Sequence, residues 1–268
     1  MHRRRQKIKK EIIEGIIKVY KKGNNFFCNN QDTYGDVTDI KPIYMINQFF
    51  IPSDEKRYKE LKFCLQKNVS NKNIEKIYLL NERIYSPEEL GIDNDKIIQI
   101  NIEKRLTFEK AFDFARGLQE SYCLLCNSDI FLDESVKNLQ RGNLANKASL
   151  QALLRYEFKE DVPLEEATIF GPRKDSQDTW IVYNTFLHNL DLSIMNFPLG
   201  KGGCDNAIVE RFHRLGFAIY NEPDMIKTYH YHYEKEHEKK WHKEARVEMP
   251  YLYPNPIIKR LIKNEKTS

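Results

Sequence analysis

Three polar residues, Asn127, Ser128 and Asp129, follow an apolar segment that begins at residue 122. A short apolar segment of this kind is typical of a strand buried on both faces of a sheet. Open α/β sheets bind their ligands at the carboxyl ends of such strands. Asp129 is therefore suited to hold a hard divalent cation against a phosphorylated substrate. The local sequence alone leaves open a second interpretation, a polar turn that ends a strand.

A second candidate is Asp205, which follows Gly202 and Gly203 and begins a predicted helix over residues 205–215. The glycines would let a substrate approach the backbone closely, and Asp205 could then act as a general base. A helix amino terminus lowers the pKa of a carboxylate, so a working base here also needs nearby anions or partial burial. The competing interpretation is that Asp205 only caps the helix.

Two histidines, His230 and His232, lie late in the chain. In an extended segment their side chains share one face, so either could ligate a metal. The sequence contains no carboxylate–histidine spacing of the zinc-peptidase type. A structural role for both histidines is the alternative.

A polar loop over residues 176–180 contains Asp178 and Trp180. This composition is frequent in sugar-binding sites, because a carboxylate bonds to hydroxyl groups and an indole stacks on a pyranose ring. The alternative is a turn followed by a buried tryptophan.

These residues must be positioned by a regular first half and a less regular second half. Apolar periodicity predicts strands over 43–50, 74–80, 96–102 and 122–128, with helices over 54–68 and 107–119. Such alternation indicates an α/β domain with a mostly parallel sheet. The second half predicts strands over 148–158, 179–184 and 217–221 between loops rich in glycine and charge. We expect the first half to bind a nucleotide and the second to shape an acceptor site.

Composition narrows the class of protein. The formal net charge of +4 over 268 residues is too small to indicate nucleic-acid binding, and no apolar stretch is long enough to span a bilayer. We predict a cytoplasmic protein whose five cysteines are reduced thiols. The predicted organisation is an amphipathic helix and connector (1–40), a main domain (41–250) and a basic tail (251–268). The basic termini are either solvated or attracted to an anionic membrane surface.

The order of these motifs resembles the GT-A class of nucleotide-sugar glycosyltransferases. Asn127 to Asp129 resemble its DxD metal motif, Asp205 its acidic base motif, and His230 or His232 its carboxyl-terminal metal histidine. The first DxD position is Asn127, so Asp129 is the one firm carboxylate of the motif. Further stretches are similar to compact glycosyltransferases of large algal viruses and bacterial surface-glycan clusters: 47–50 with Arg57, Glu60 and Asn68; 77–82; Arg105 with Phe108; 155–157; and 176–180.

The resemblance covers about residues 42–233 and implies a GT-A (Rossmann-like) single α/β domain with an N-terminal helical appendage. It implies a nucleotide-diphosphate donor, with a UDP-sugar expected first, and Mn²⁺ or Mg²⁺ held by Asp129 and a histidine. The implied donor-binding residues are Gln48, Phe49, Asn81, Glu82, Arg105, Asn127 and Ser128.

The resemblance also implies a glycan hydroxyl as the acceptor and inversion at the anomeric carbon. Asp205 would be the general base and Asp178 would orient sugar, with Trp180, Gly202 and Gly203 at the acceptor. A viral source would place the protein in the host-cell cytoplasm. The alternatives are a metal-dependent phosphohydrolase and a non-catalytic sugar-nucleotide-binding protein.

Overall fold

The computed structural model describes residues 39–231 and 246–257. The first half alternates strands and helices as predicted. Asp54 and Thr107 cap the amino termini of its two long helices by accepting backbone N–H groups. The elements are β1 (Ile43–Asn47), α1 (Glu55–Ser70), β2 (Lys76–Asn81), α2 (Pro87–Leu90), β3 (Ile97–Asn101), α3 (Phe108–Arg116) and β4 (Tyr122–Cys126).

The second half consists of short strands, 3₁₀ turns and one long helix. A 3₁₀ helix over Glu134–Arg141 begins at Asp133, whose side chain accepts the Ser135 N–H. The further elements are β5 (Ile130–Leu132), β6 (Ser149–Leu153), β7 (Tyr156–Phe158), β8 (Thr168–Ile169), β9 (Thr179–Tyr183), α4 (Cys204–Arg214), β10 (Ala218–Tyr220) and β11 (Thr228–Tyr231).

One strand prediction was wrong in extent. The segment 148–158 forms two strands rather than one, because the chain leaves one sheet after Leu153 and enters another at Tyr156. The backbone N–H of Leu154 bonds to the Asn221 side chain at 3.0 Å instead of continuing a strand ladder. Arg155 therefore lies at a junction between two sheets.

The central sheet has the strand order β10-β6-β9-β4-β1-β2-β3. Its strands are parallel except β9, which runs antiparallel to both β4 and β6. The prediction of a mostly parallel sheet is confirmed. A smaller sheet has the order β5-β11-β7-β8. Its strand β7 directly follows Arg155 in the chain.

Helices cover both faces of the central sheet. Phe112 of α3 and Phe212 of α4 pack on one face, and Leu61 of α1 packs on the other. Cys123 belongs to the first core and Cys126 to the second. Strand β4 is therefore buried on both faces, as its continuous apolar sequence predicts.

Several predictions lie outside the described residues, namely the N-terminal amphipathic helix, the residues of the basic tail beyond 257, and His232. Within the described ranges, no helix has both the length and the apolar character that crossing a bilayer requires.

Candidate active site

The carboxyl ends of β1, β2 and β4 border a cavity of about 600 Å³. This is the edge at which open parallel sheets bind ligands. Predicted and unpredicted residues share its wall: Gln48, Phe50, Ile51, Arg57, Glu82, Arg105, Asn127, Ser128, Asp129, Arg155, Asp178, Gly200 and His230.

Strand pairing brings Asp129 and His230 together across 101 residues of sequence. Asp129 immediately precedes β5, and β11 pairs antiparallel with β5 so that His230 lies opposite Ile130. The His230 Nε2 atom is 2.9 Å from Asp129 Oδ2. Both residues are buried, at 7% and 4% exposure. Two of the predicted metal ligands are therefore in contact.

Arg57, in the first turn of α1, completes this group. Its Nη2 donates to Asp129 Oδ2 at 2.6 Å and its Nη1 donates to Glu60 Oε2 at 2.7 Å. Burial on its own would raise the pKa of Asp129, but the charges of His230 and Arg57 outweigh it and hold that pKa well below its ordinary value. Burial lowers the pKa of His230, yet Asp129 more than compensates and raises it to about 9. We call Arg57, Asp129 and His230 the metal side of the cavity.

The other carboxylate oxygen, Asp129 Oδ1, is buried and has no hydrogen-bond partner among the described residues. A buried polar atom left in this state costs about 1–3 kcal/mol, and more when it is charged. A divalent cation would satisfy it, and carboxylate and imidazole are both ligands that Mn²⁺ accepts. The part of the chain described here holds no group of three His, Cys, Asp or Glu side chains that could bind a metal. A cation bound to Asp129 would take further ligands from a substrate and water.

The first two residues of the predicted metal motif make hydrogen bonds to groups other than Asp129. The Asn127 amide donates to Asp178 Oδ1 at 2.8 Å, and the Ser128 hydroxyl donates to the Gln48 carbonyl at 2.6 Å. Both residues line the cavity. These hydrogen bonds connect the end of β4 to the neighbouring loops.

Asp178 also lines the cavity and immediately precedes β9. Arg155 Nη1 donates to its Oδ2 at 2.6 Å, and Arg155 Nε donates to Glu157 Oε1 at 2.9 Å. Glu157 Oε2 in turn lies 3.4 Å from His230 Nδ1. Charges of alternating sign therefore connect the two sides of the cavity.

Asp205 is the second residue of α4, after Cys204. The capping alternative is not supported, because Gly203 is the N-cap and no side chain caps this end. The Asp205 carboxyl group accepts the Gln177 backbone N–H and, at 3.1 Å, the Cys204 thiol. Burial, followed by the charge of Asp178, raises the pKa of Asp205 to about 7. We call Asn127, Asp178 and Asp205 the base side; Asp205 itself does not line the cavity.

Three predicted donor-binding residues, Gln48, Glu82 and Arg105, line the cavity. The Gln48 amide donates to the Leu80 and Lys104 carbonyls and accepts the Leu106 N–H, so it connects β2 to the loop that precedes α3. Arg105 Nη2 donates to the Leu199 carbonyl at 2.6 Å.

The side chains of Phe49 and Asn81 do not reach the cavity, which corrects two predictions. Phe49 is buried against Tyr85, and Asn81 Oδ1 accepts the Phe49 N–H at 2.8 Å. The exposed neighbour Phe50 lines the cavity instead. Successive side chains of an extended segment point to opposite sides, so only one of two adjacent phenylalanines can face a ligand.

The predicted acceptor residues are also placed elsewhere. Trp180 is fully buried and packs edge-on against Phe108 at 4.8 Å, so no sugar can stack on it here. Gly202 lies beside Arg246 and Gly203 beside Tyr251. The glycine that lines the cavity is Gly200, where φ is +69° and an added Cβ would lie 3.3 Å from the Arg105 guanidinium.

The sequence matches no protein-family model and no curated protein. Solved structures share the architecture. A mannosyltransferase, PcManGT from Pyrobaculum calidifontis, in complex with GDP-Man and Mn²⁺, is 8% identical with a TM-score of 0.50, over 83% of this chain and 65% of that one. The chain has a GT-A fold.

Two further GT-A structures are similar to this chain with lower TM-scores. GalNAc-T7 with UDP, GalNAc and Mn²⁺ is 8% identical with a TM-score of 0.49, over 73% of this chain and 44% of that one. TarS of S. aureus with UDP-GlcNAc is 12% identical with a TM-score of 0.44, over 74% and 60%. The chain spans less than two thirds of each of these three proteins. The predicted GT-A, Rossmann-like α/β class is confirmed, and the resemblance to viral enzymes stays a prediction.

Proposed function

We propose that this protein is a glycosyltransferase that moves a sugar from a nucleotide-diphosphate donor to a hydroxyl group of a glycan. The observation that carries the proposal is the contact of Asp129 with His230 at the carboxyl edge of a GT-A sheet, where Asp129 Oδ1 has no partner among the described residues. The mannosyltransferase of the same fold is in complex with GDP-Man and Mn²⁺. That complex supports a sugar nucleotide as the ligand class, and a UDP-sugar is our first candidate.

On the metal side, Asp129 and His230 would hold Mn²⁺ or Mg²⁺, with His230 losing, when the cation binds, the proton that Asp129 otherwise stabilises. When bound, the cation neutralises charge on the leaving nucleotide diphosphate. Asp129 is ionised at neutral pH because its pKa is well below the ordinary value. Arg57 and Arg105 bring further positive charge to the cavity wall. Gln48 and Glu82 line the same cavity, and we propose that they contact the nucleoside.

On the base side, Asp205 would accept the proton of the acceptor hydroxyl. The acceptor oxygen forms a bond to the anomeric carbon while the bond from that carbon to the diphosphate oxygen breaks, and the diphosphate leaves with the electron pair. A pKa of about 7 suits a base that works near neutrality. One base acting in a single displacement supports inversion.

Asp178 is the weaker candidate for the base, since its carboxylate is already engaged by Arg155 at 2.6 Å and by the Asn127 amide at 2.8 Å. Its position on the cavity wall instead suits a bond to a sugar hydroxyl. Because Asp205 does not line the 600 Å³ cavity, we place the donor in that cavity and the acceptor on the Asp205 side of Asp178.

The proposal is tested by incubating the protein with a panel of nucleotide-sugars and Mn²⁺ and following the products by mass spectrometry. We expect one donor to yield free nucleoside diphosphate and transferred or hydrolysed sugar. An Asp113→Asn variant should behave as wild type, because this side chain is 44% exposed and does not line the cavity. Release of inorganic phosphate would instead support a phosphohydrolase, and binding without turnover a non-catalytic sugar-nucleotide-binding protein.

The acceptor, the cytoplasmic location and a membrane contact through the basic termini stay predictions. Residues 1–38 and 258–268, which carry most of that basic charge, lie outside the described ranges.

A further inference from the structure

Arg155 lies between the two sides of the cavity, at the junction of β6 and β7. It is 8% exposed and lines the cavity wall. A buried guanidinium with several directed contacts differs from a surface arginine, because its planar fork can hold two carboxylates in a fixed relation.

Two of the three guanidinium nitrogens of Arg155 have defined partners. Nε donates to Glu157 at 2.9 Å, while Nη1 donates to Asp178 at 2.6 Å and to the Ser176 hydroxyl at 3.3 Å. The guanidinium carbon lies 4.1 Å from the centre of the Phe170 ring. Ring and carboxylates together restrict the guanidinium to one plane.

The contacts of Arg155 with Ser176 and Asp178 flank Gln177, and Gln177 contacts helix α4. The Gln177 backbone N–H bonds to the Asp205 carboxyl group, and the Asn206 amide donates to Gln177 Oε1 at 3.3 Å. The segment 176–178 is therefore held by Arg155 on one side and by α4 on the other.

Glu157, the second carboxylate that Arg155 contacts, lies next to the metal side. Glu157 contacts His230 at 3.4 Å, and β7 pairs in parallel with β11 so that these two residues are directly opposite. Arg155 therefore joins the strand that carries His230 to the segment that contacts Asp205.

We infer that Arg155 is a positioning residue of the reaction: by holding the segment 176–178 against Glu157, it fixes the place and the charge environment of Asp205 relative to the donor cavity. This inference rests on the proposed function. The competing explanation is that Arg155 only stabilises the fold, and the pH dependence of turnover distinguishes the two.

The charged and titratable groups around Asp205 determine the direction of the effect. Asp178 raises its pKa, while Arg155 and the hydrogen bond from Cys204 lower it. Without the positive charge of Arg155, Asp205 holds its proton more tightly, so the base becomes active only at higher pH. Without the negative charge of Asp178, Asp205 loses its proton at lower pH.

The experiment compares the pH profiles of kcat/KM for the wild type, Arg155→Gln, Arg155→Lys and Asp178→Asn, with the donor identified by the nucleotide-sugar screen. We expect the acid limb to move up by roughly one pH unit in Arg155→Gln and down by a similar amount in Asp178→Asn. Arg155→Lys keeps the charge but loses the fork, so its limb should stay in place while kcat falls. Equal loss at every pH, with no shift in any variant, would overturn the inference.

Two further measurements keep the test decisive. If Arg155→Gln does not fold, the other two variants still give different expectations. The acid limb should be unshifted in Arg155→Lys and should move to lower pH in Asp178→Asn. If the wild type turns over no donor, the proposed function fails. The inference is then judged by NMR titration of ¹³C-labelled aspartates: a carboxyl group titrating near 7 should move up in Arg155→Gln and down in Asp178→Asn. A signal that moves in neither variant contradicts the inference independently of activity.

Discussion

The metal side and the base side of the cavity each place an aspartate among buried groups, but in opposite charge environments. Asp129 contacts Arg57 and His230, which hold its pKa well below the ordinary value. Asp205 is desolvated and faces the charge of Asp178, and its pKa rises to about 7. Environments that separate the pKa values of two carboxylates also separate their roles. Asp129 is suited to bind positive charge and Asp205 to accept a proton.

The difference comes from where the arginines point. Arg57 donates directly to Asp129 at 2.6 Å, whereas Arg155 donates to Asp178 and not to Asp205. The charge of Asp178 in turn raises the pKa of Asp205. Because the Arg155 guanidinium contacts Asp178 rather than Asp205, Asp205 can titrate near neutral pH.

Replacing the base should have the largest effect. Asp205→Asn cannot accept a proton, so we expect turnover to fall by about 100- to 10,000-fold. The thermal shift produced by nucleoside diphosphate and Mn²⁺ should be retained, because the metal side of the cavity is unchanged. Turnover at the wild-type rate would remove Asp205 as the base, and the measurement is a single-donor kinetic assay beside a thermal melt.

Removing the Arg57 guanidinium from the metal side should lower the free energy of unfolding. Arg57→Gln leaves Glu60 and Asp129 with less compensation, and we expect unfolding free energy to fall by about 3 kcal/mol, the low end for a broken buried ion pair. The guanidinium is 28% exposed, which is why the low end applies. The matched control is Arg173→Gln, whose pair with Asp175 is exposed on both sides and should change stability by less than about 1 kcal/mol. If urea denaturation shows the same loss of unfolding free energy in both variants, the claim that the Arg57 ion pairs contribute more stability than the Arg173 pair is contradicted.

The pH dependence tests the base side on the unmodified protein. Turnover should rise about tenfold per pH unit below 7 and level off above it, since Asp205 acts as a base only when deprotonated. The stability effect has the opposite sign. A carboxyl group whose pKa is raised on folding stabilises the fold at acid pH, and that contribution is lost as pH rises from 3.8 to about 7. An activity profile flat from pH 5 to 8 would exclude this assignment.

The smallest catalytic effect is expected at Trp180. The indole is fully buried against Phe108, so Trp180→Phe should lower the melting temperature while changing the acceptor KM by less than about threefold. A large rise in acceptor KM without loss of stability would restore the sequence-based prediction that Trp180 binds sugar. Titrating the acceptor at saturating donor gives this comparison.

Much of the first half could be predicted because local signals and tertiary structure agree there. The apolar sequence of β4 predicts a strand buried on both faces, and Thr107 does cap α3. The second half was harder, since the break between β6 and β7 depends on the Asn221 side chain, 67 residues away from Leu154. No local pattern encodes a hydrogen bond of that range.

The same distinction applies to the site. Asp129, His230 and Asp205 could be proposed from residue type and order, and the first two meet in the structure. Arg57 and Arg155 were noted only as parts of similar stretches, because an arginine in sequence gives no sign of which carboxylate it will meet. Phe49, Asn81 and Trp180 were assigned to ligands although they are buried, since a sequence does not show which side chain of an extended segment faces the cavity.

The most direct test of the central claim, that Asp129 binds a cation through which the donor diphosphate is held, is a thermal melt of wild type and Asp129→Asn with nucleoside diphosphates, with and without Mn²⁺. A ligand at 100 times its Kd stabilises the fold by about 2.7 kcal/mol, a shift of several degrees for a chain of this size. We predict a Mn²⁺-dependent rise in melting temperature in wild type and in Asp205→Asn that is lost in Asp129→Asn. No Mn²⁺-dependent rise with any nucleoside diphosphate, or an equal rise in Asp129→Asn, would contradict the claim.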